Sequence, residues 1–354
     1  MARLTKEGQL IHDITVKFQV YLEQLKAGEI RKTDATIRAL DRAIIAAIRD
    51  MGTAPSRARL DKALAKLRAA MTELTDAQVE AYMKTLRSFS KYCLEYHTST
   101  VNLIAPPNSP AITPAAAASW SATLTAPIQA TGELMAPFIT SWGESAIKRV
   151  EGAIRVGYAQ GKTTDEIART IRGTKAAGFK DGLLGGVIKR EADAMVRTSL
   201  QHVSAQAQQL VMDDNSDIIE GYVWISTLDS RTTTQCRSLD GKTFLPGKGP
   251  VPPIHINCRS TTIPKIKGVD LLSNTSRASK GGQVPASQSY YEWLKTQSKT
   301  FQDDALGPMR GKLFRDGGLS ADQFARLNLD KSFNPLTLEE MRRKNPSAFN
   351  RAGI

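Results

Sequence analysis

Cys236, His255 and Cys258 are the residues of this chain whose types and spacing best suit chemistry. They flank a Pro/Gly-rich excursion within WISTLDSRTTTQCRSLDGKTFLPGKGPVPPIHINCRSTTIP, residues 224–264, with an Asp240-Gly241 turn between them. Zinc favours tetrahedral thiolate and imidazole ligands, and His255-x-x-Cys258 can present two of them from one short turn, with Cys236 as the third. Asp240, Asp229, His202 or a water would have to complete the set. Three protein ligands plus water resemble a catalytic zinc, whereas a structural zinc is normally closed by four protein ligands. Two other readings stand beside the metal. Cys236 and Cys258 can pack against a sheet while His255 bonds to backbone, or the two thiols can form a disulfide, which a reducing compartment disfavours. In every version the trio pins a long loop whose closure costs chain entropy.

The remaining polar candidates do not complete a catalytic set. Asp229, Arg231 and Asp240 could serve a reaction with His255 as general base only if all lie within hydrogen-bond reach of one another and of a substrate. Spacing alone does not place them there, and Asp229-x-Arg231 reads more simply as a turn with a local ion pair. Arg197, on a helix ahead of the sheet, is expected to pair with a carboxylate. His12, His97 and His202 fall in helical patterns, and Cys93 reads as a small buried hydrophobe. Gly161-Lys162-Thr163 lacks the upstream glycine of a phosphate-binding loop. The expectation is a protein that is not an enzyme, with a metal-dependent nuclease, hydrolase or toxin-like effector built on Cys236, His255 and Cys258 as the rival.

The elements that must position these residues follow from periodicity. Residues 1–100 carry four apolar stripes at three- and four-residue steps, which predict four helices in an antiparallel bundle. The stripes are Ile11, Ile14, Phe18, Tyr21 and Leu25, ended by Gly28; Ile37, Leu40, Ile44, Ile48 and Met51, ended by Gly52; Leu60, Leu64, Leu67, Met71 and Leu74 after a Ser56 cap; and Val79, Met83, Leu86 and Cys93. The fourth would start at a Thr75–Gln78 capping box. Asn102–Pro114 holds four prolines and reads as an extended linker. The stretch 115–137 is Ala/Ser/Thr-rich, with short helical pieces expected. Further helices are expected from Pro137 to Gln160, from a capping box at Thr163–Glu166 through Ile171, and from Val187 to Met212. A strand follows at Ile219–Ile225, with shorter strands at Lys242–Phe244 and Arg259–Ile263. The fold class is therefore α+β: a helical bundle (1–101), a Pro/Ala-rich linker (102–136), helices on a small antiparallel sheet (137–265), and an extended, basic, loop-rich C-terminal arm (266–354). Short helices are expected in that arm near Tyr290–Gln297 and Leu336–Lys344, with a partner surface needed to order it fully.

The 354 residues carry a formal charge of +13, which points to an acidic partner, nucleic acid first. About five of these charges lie before residue 121, about six after residue 264 and only about two between, so the basic character belongs to the flanks. No apolar run approaches the roughly 18–20 residues that span a bilayer. The first residues show no apolar secretion core, and three cysteines make no disulfide framework, so synthesis in a reducing cytoplasm is expected.

In order and spacing, several pieces resemble the phage Mu F-like head morphogenesis, or minor head, proteins. They are the helix with Arg197-Thr198, the Trp224 strand, Thr227-Leu228-Asp229-Ser230-Arg231-Thr232, Cys236, Leu239-Asp240-Gly241 and Pro252-Pro253-x-His255-x-x-Cys258-Arg259. The resemblance spans residues 135–265. The tail is also similar to extended members in Trp293-Leu294-Lys295, Phe301-Gln302, Leu306-Gly307 and Lys312-Leu313-Phe314. The resemblance implies a low-copy protein of the phage head, made in the host cytoplasm and then held in the capsid interior. It would be linked to head assembly, DNA packaging or delivery. Portal or major capsid protein would be its protein partners, and packaged double-stranded DNA would meet the basic flanks.

Overall fold

The computed structural model describes residues 2–53, 55–107, 109–110, 112, 118–271 and 275–354. Two long antiparallel helices dominate the first third: α1 (Ala2–Met51) and α2 (Arg57–Ile104). Tyr96 donates its hydroxyl to the Ile14 carbonyl at one end, and Arg59 reaches the Asp50 carbonyl at the other. The four expected stripes are thus merged into two helices, and neither interior break occurs. A mid-helix glycine costs only about 1 kcal/mol. Around Gly28 the helix buries Lys26, Glu29 and Thr33, so packing outweighs that cost. Thr75 does not cap a helix start either; its hydroxyl bonds back to the Met71 carbonyl at 3.0 Å, and its side chain packs against Gly143.

A short helix, α3 (Ala118–Thr125), follows the proline-rich stretch, whose residues 108, 111 and 113–117 lie outside the described residues. Then come α4 (Met135–Ala159), α5 (Thr164–Arg172) and α6 (Lys189–Asp214), close to their expected bounds. A π-helical turn at Leu184–Ile188 leads into α6. Thr163 and Glu166 form the expected reciprocal capping box. Gly157 lets α5 lie close on α4, since a Cβ there would stand 2.5 Å from Ile167 Cγ1. Helices α1, α2, α4, α5 and α6 share one apolar core, with Leu40, Ile44, Leu86, Trp142, Ile167 and Leu200 among its buried members.

The sheet is three-stranded and antiparallel, in the order β2-β1-β3, from β1 (Ile219–Ile225), β2 (Thr243–Phe244) and β3 (Thr261–Ile266). Tyr222 pairs with Phe244 on one side, and Trp224 with Thr262 on the other. Sheet and α6 are joined by polar contacts as well as apolar ones. Gln208 donates to the Thr262 carbonyl and accepts from its hydroxyl, and Gln201 donates to the Ser260 carbonyl. A helix that periodicity did not reveal, α7 (Thr234–Leu239), sits between β1 and β2, and Gly241 turns the chain after it at φ +76°.

The C-terminal region is not the extended arm expected from its polar composition. It forms a hairpin, β4 (Ser276–Ser279) with β5 (Gly282–Pro285), and then six short helices. These are α8 (Tyr290–Lys295), α9 (Lys299–Leu306), α10 (Pro308–Asp316), α11 (Ala321–Leu327), α12 (Leu338–Lys344) and α13 (Pro346–Ala352). Few apolar residues suffice here because many are large. Tyr290, Tyr291, Trp293, Phe314, Phe324, Met341 and Phe349 build a separate buried core. Reciprocal capping boxes at Ser289–Glu292, Ser320–Gln323 and Thr337–Glu340 start three of the helices. The basic side chains Arg342, Arg343 and Lys344 lie on the exterior of this unit.

Candidate functional site

Cys236 and the His255–Cys258 turn meet at the mouth of the loop that leaves β2 and returns to β3. Cys236 lies in the first turn of α7, whose N-cap Thr233 accepts a hydrogen bond from the Cys236 amide. On the returning segment ahead of β3, the Cys258 amide donates to the His255 carbonyl at 3.2 Å. Asn257, between them, has a left-handed backbone with φ +61°, and its amide is anchored on Thr198 Oγ1 of α6 at 3.1 Å. The trio's ligand atoms all lie within 4.8 Å of one another. Cys236 Sγ is 3.1 Å from His255 Nε2 and 3.7 Å from Cys258 Sγ, and the two thiols are free.

Protonation follows from the partners. His255 Nδ1 is 2.9 Å from the Ile256 carbonyl, which can only accept, so Nδ1 carries a proton and Nε2 faces the sulfurs. Hydrogen bonding from Cys236 holds the Cys258 thiol well below its ordinary pKa; burial opposes this, and the His255 hydrogen bond and charge reinforce it. Burial, together with the neighbouring Cys258 sulfur, pushes Cys236 well up. Burial lowers His255, but its hydrogen bond and attraction to Cys258 outweigh this and leave it raised. The cluster therefore favours the thiolate at Cys258 over Cys236, and His255 takes a proton more readily than a free imidazole.

Behind the trio stands a wall of Trp224, Leu239, Ile254 and Leu329. A chain of polar contacts fixes its height. Trp224 Nε1 donates to Ser226 Oγ at 2.9 Å, and Ser226 Oγ donates to the Cys236 carbonyl at 2.8 Å. On the far side, buried Lys26 of α1 donates to Gln201 Oε1 at 2.8 Å, and Gln201 holds the Ser260 carbonyl at 3.0 Å. Burial lowers the Lys26 pKa, with Glu23 and Cys258 opposing that shift.

The carboxylates weighed as further ligands or catalysts are committed elsewhere. Asp229 makes a two-pronged pair with Arg259 at 2.7 and 2.9 Å, and accepts from the amides of Arg231 and Thr232. Burial works to raise its pKa, but Arg259 and Thr232 outweigh it and hold the carboxyl below its usual range. Arg231 stands 3.8 Å from Asp229 and is 81% exposed, so the local ion pair is secondary to Arg259. Asp240 grips Arg277 of β4 at 3.0 Å through both oxygens and accepts from the amides of Ser226 and Tyr290. Arg197 pairs with Glu23 at 3.6 Å. His202 is buried in α6 against the Thr123 carbonyl, His12 against that of Leu271, and His97 in the helical core. Among the described residues, Cys236, His255 and Cys258 form the one group of three or more Cys, His, Asp and Glu side chains close enough to hold a metal.

One small space adjoins the trio and a larger one lies nearby, sharing Thr227, Arg231 and Arg259 with it. A cavity of about 20 Å³ is bordered by Cys236, His255, Thr227, Thr232 and Ser260. An open cleft of about 620 Å³ lies between α1 and the sheet, with Val16 and Val20 on one wall and Arg197, Arg231 and Arg259 on the other. Arg277 is the functional residue that sequence reasoning missed. It lies 37 positions from Asp240, and nothing in its local sequence points to that partner.

Residues 148–263, about a third of the chain, match the family model described as phage Mu protein F like protein. The matched stretch runs from within α4 into β3 and contains the whole Cys/His cluster. No curated protein and no solved structure matches the chain.

Proposed function

We propose that this protein is a structural component of a phage head, acting in head morphogenesis and not in turnover of a substrate. The observation that carries the reading is the family match over 148–263, which encloses the cluster. The committed carboxylates favour the same view, since neither Asp229 nor Asp240 is free to act as base or nucleophile. No helix among the described residues is long and apolar enough to cross a membrane. The finer reading is a minor protein of the capsid interior that binds the portal or shell and meets packaged DNA. The +13 charge and the exposed Arg342, Arg343, Lys344 and Arg351 favour the DNA contact, because such side chains neutralise phosphates and release counterions.

Quantitative mass spectrometry of purified particles tests this reading. The expected result is the chain present in few copies relative to the major shell protein. Its absence from particles, with abundance in the lysate of infected cells, would overturn the proposal.

A further inference from the structure

We infer that Cys236, His255 and Cys258 form a zinc site with three protein ligands, its fourth position taken by solvent from the adjoining cavity. The distances carry the argument. Two sulfurs bound at about 2.3 Å to a tetrahedral zinc stand about 3.8 Å apart. Cys236 Sγ and Cys258 Sγ stand 3.7 Å apart, so the pair already spans a tetrahedral edge. A sulfur and an imidazole nitrogen on the same ion lie about 3.5 Å apart. The 3.1 Å between Cys236 Sγ and His255 Nε2 needs a ring shift of only a few tenths of an ångström.

The surroundings meet the demands of a bound ion. A ligating imidazole usually donates its other N–H to a carbonyl or carboxylate, which fixes its tautomer and aim. His255 Nδ1 does so to the Ile256 carbonyl, leaving Nε2 directed at the sulfurs. Asp229, Asp240 and His202 are held by other partners, so this chain supplies no fourth ligand of its own from the candidates nearest in sequence. The cavity of about 20 Å³ beside Cys236 and His255 has room for one water, and its Thr227, Thr232 and Ser260 offer polar partners to hold it.

The inference does not depend on where the protein acts, so a chain absent from particles would still bind the ion. The test is cobalt titration of the full-length, reduced, metal-stripped protein. The expected spectrum has near-ultraviolet thiolate-to-cobalt charge transfer and intense visible bands of a four-coordinate ion. It saturates at one ion per chain and is abolished by zinc. Azide should shift the visible bands by replacing the solvent ligand. Cys258→Ser should weaken cobalt binding more than about 100-fold, while Cys93→Ser leaves it unchanged. Should Cys258→Ser fail to fold, the wild-type protein still decides: zinc should protect Cys236 and Cys258 from alkylation, and a chelator should reverse that. A folded wild-type protein giving no such bands and no protection overturns the site, and bands indifferent to azide overturn its solvent position.

Discussion

The helical half and the sheet-bearing half of this molecule differ in how they bury ionisable groups. Among the helices, several buried titratable side chains are held neutral, although Lys26, Glu29 and Glu151 keep ion-pair partners. Burial lowers His97 to about 3 and His202 to about 4, pushes Tyr82 up beyond its usual range, and raises Cys93 well above its own. Around the sheet, buried charge is kept and paired, as in Asp240 with Arg277 and Asp229 with Arg259. One half stands on apolar stripes that tolerate a silent polar group. The other hangs on a few polar hubs, each tying several segments together. Asp240 alone links β1, α7, the β4 hairpin and the start of α8.

That contrast is broken most sharply at its largest hub. Asp240→Ala leaves the buried Arg277 charge without its carboxylate, with only the Ser226 carbonyl to accept from it, and frees two amides; it should cost about 3–5 kcal/mol. Urea unfolding followed by the near-ultraviolet signal of the C-terminal aromatics would measure it. A loss below about 1 kcal/mol would mean that apolar packing, and not the polar hub, holds the C-terminal unit.

Acid sharpens the other side. Folded His97 stays neutral down to about 3, whereas an unfolded imidazole takes a proton below about 6.5. The unfolded state therefore binds more protons between these values, and stability falls as pH drops through that window and is flat above it. By pH 3 the loss from His97 amounts to at most on the order of 4 kcal/mol. Equilibrium unfolding from pH 7 to pH 4 should show this slope, and His97→Gln should reduce it while leaving the share of His202, which burial lowers to about 4.

Leu86→Ala, at a fully buried position of α2, should cost about 3 kcal/mol through lost transfer energy and a cavity. It should do so without changing the pH slope, which separates apolar support from the titrating groups. At the small end, Arg343→Ala removes an exposed pair with Glu339 and should shift stability by less than about 0.5 kcal/mol. A larger change in thermal midpoint would give this surface pair a structural role the contrast does not allow.

Legibility followed the same division. Stripes such as Leu40, Ile44 and Ile48 are written at helical spacing, so the helices could be read, although Gly28 suggested a break that burial of its neighbours overrides. Tyr222, Val223 and Trp224 marked the central strand, and the Cys/His spacing around one loop marked the cluster. In the C-terminal unit the expected short helices near Tyr290–Gln297 and Leu336–Lys344 are present as α8 and α12, but polar composition masks the large aromatic anchors that fold the rest instead of leaving it extended. Asp240 with Arg277 was illegible for another reason. A long-range ion pair leaves no periodic trace, and only the assembled fold brings its partners together.

The decisive measurement is the copy number of His255→Ala in particles assembled without the wild-type chain, set against their infectivity. A scaffolding role for the imidazole predicts fewer copies per particle, with infectivity falling in step. Wild-type copy number in particles that no longer infect would contradict it, since the protein would then be built in correctly and lack only the chemistry of that ring.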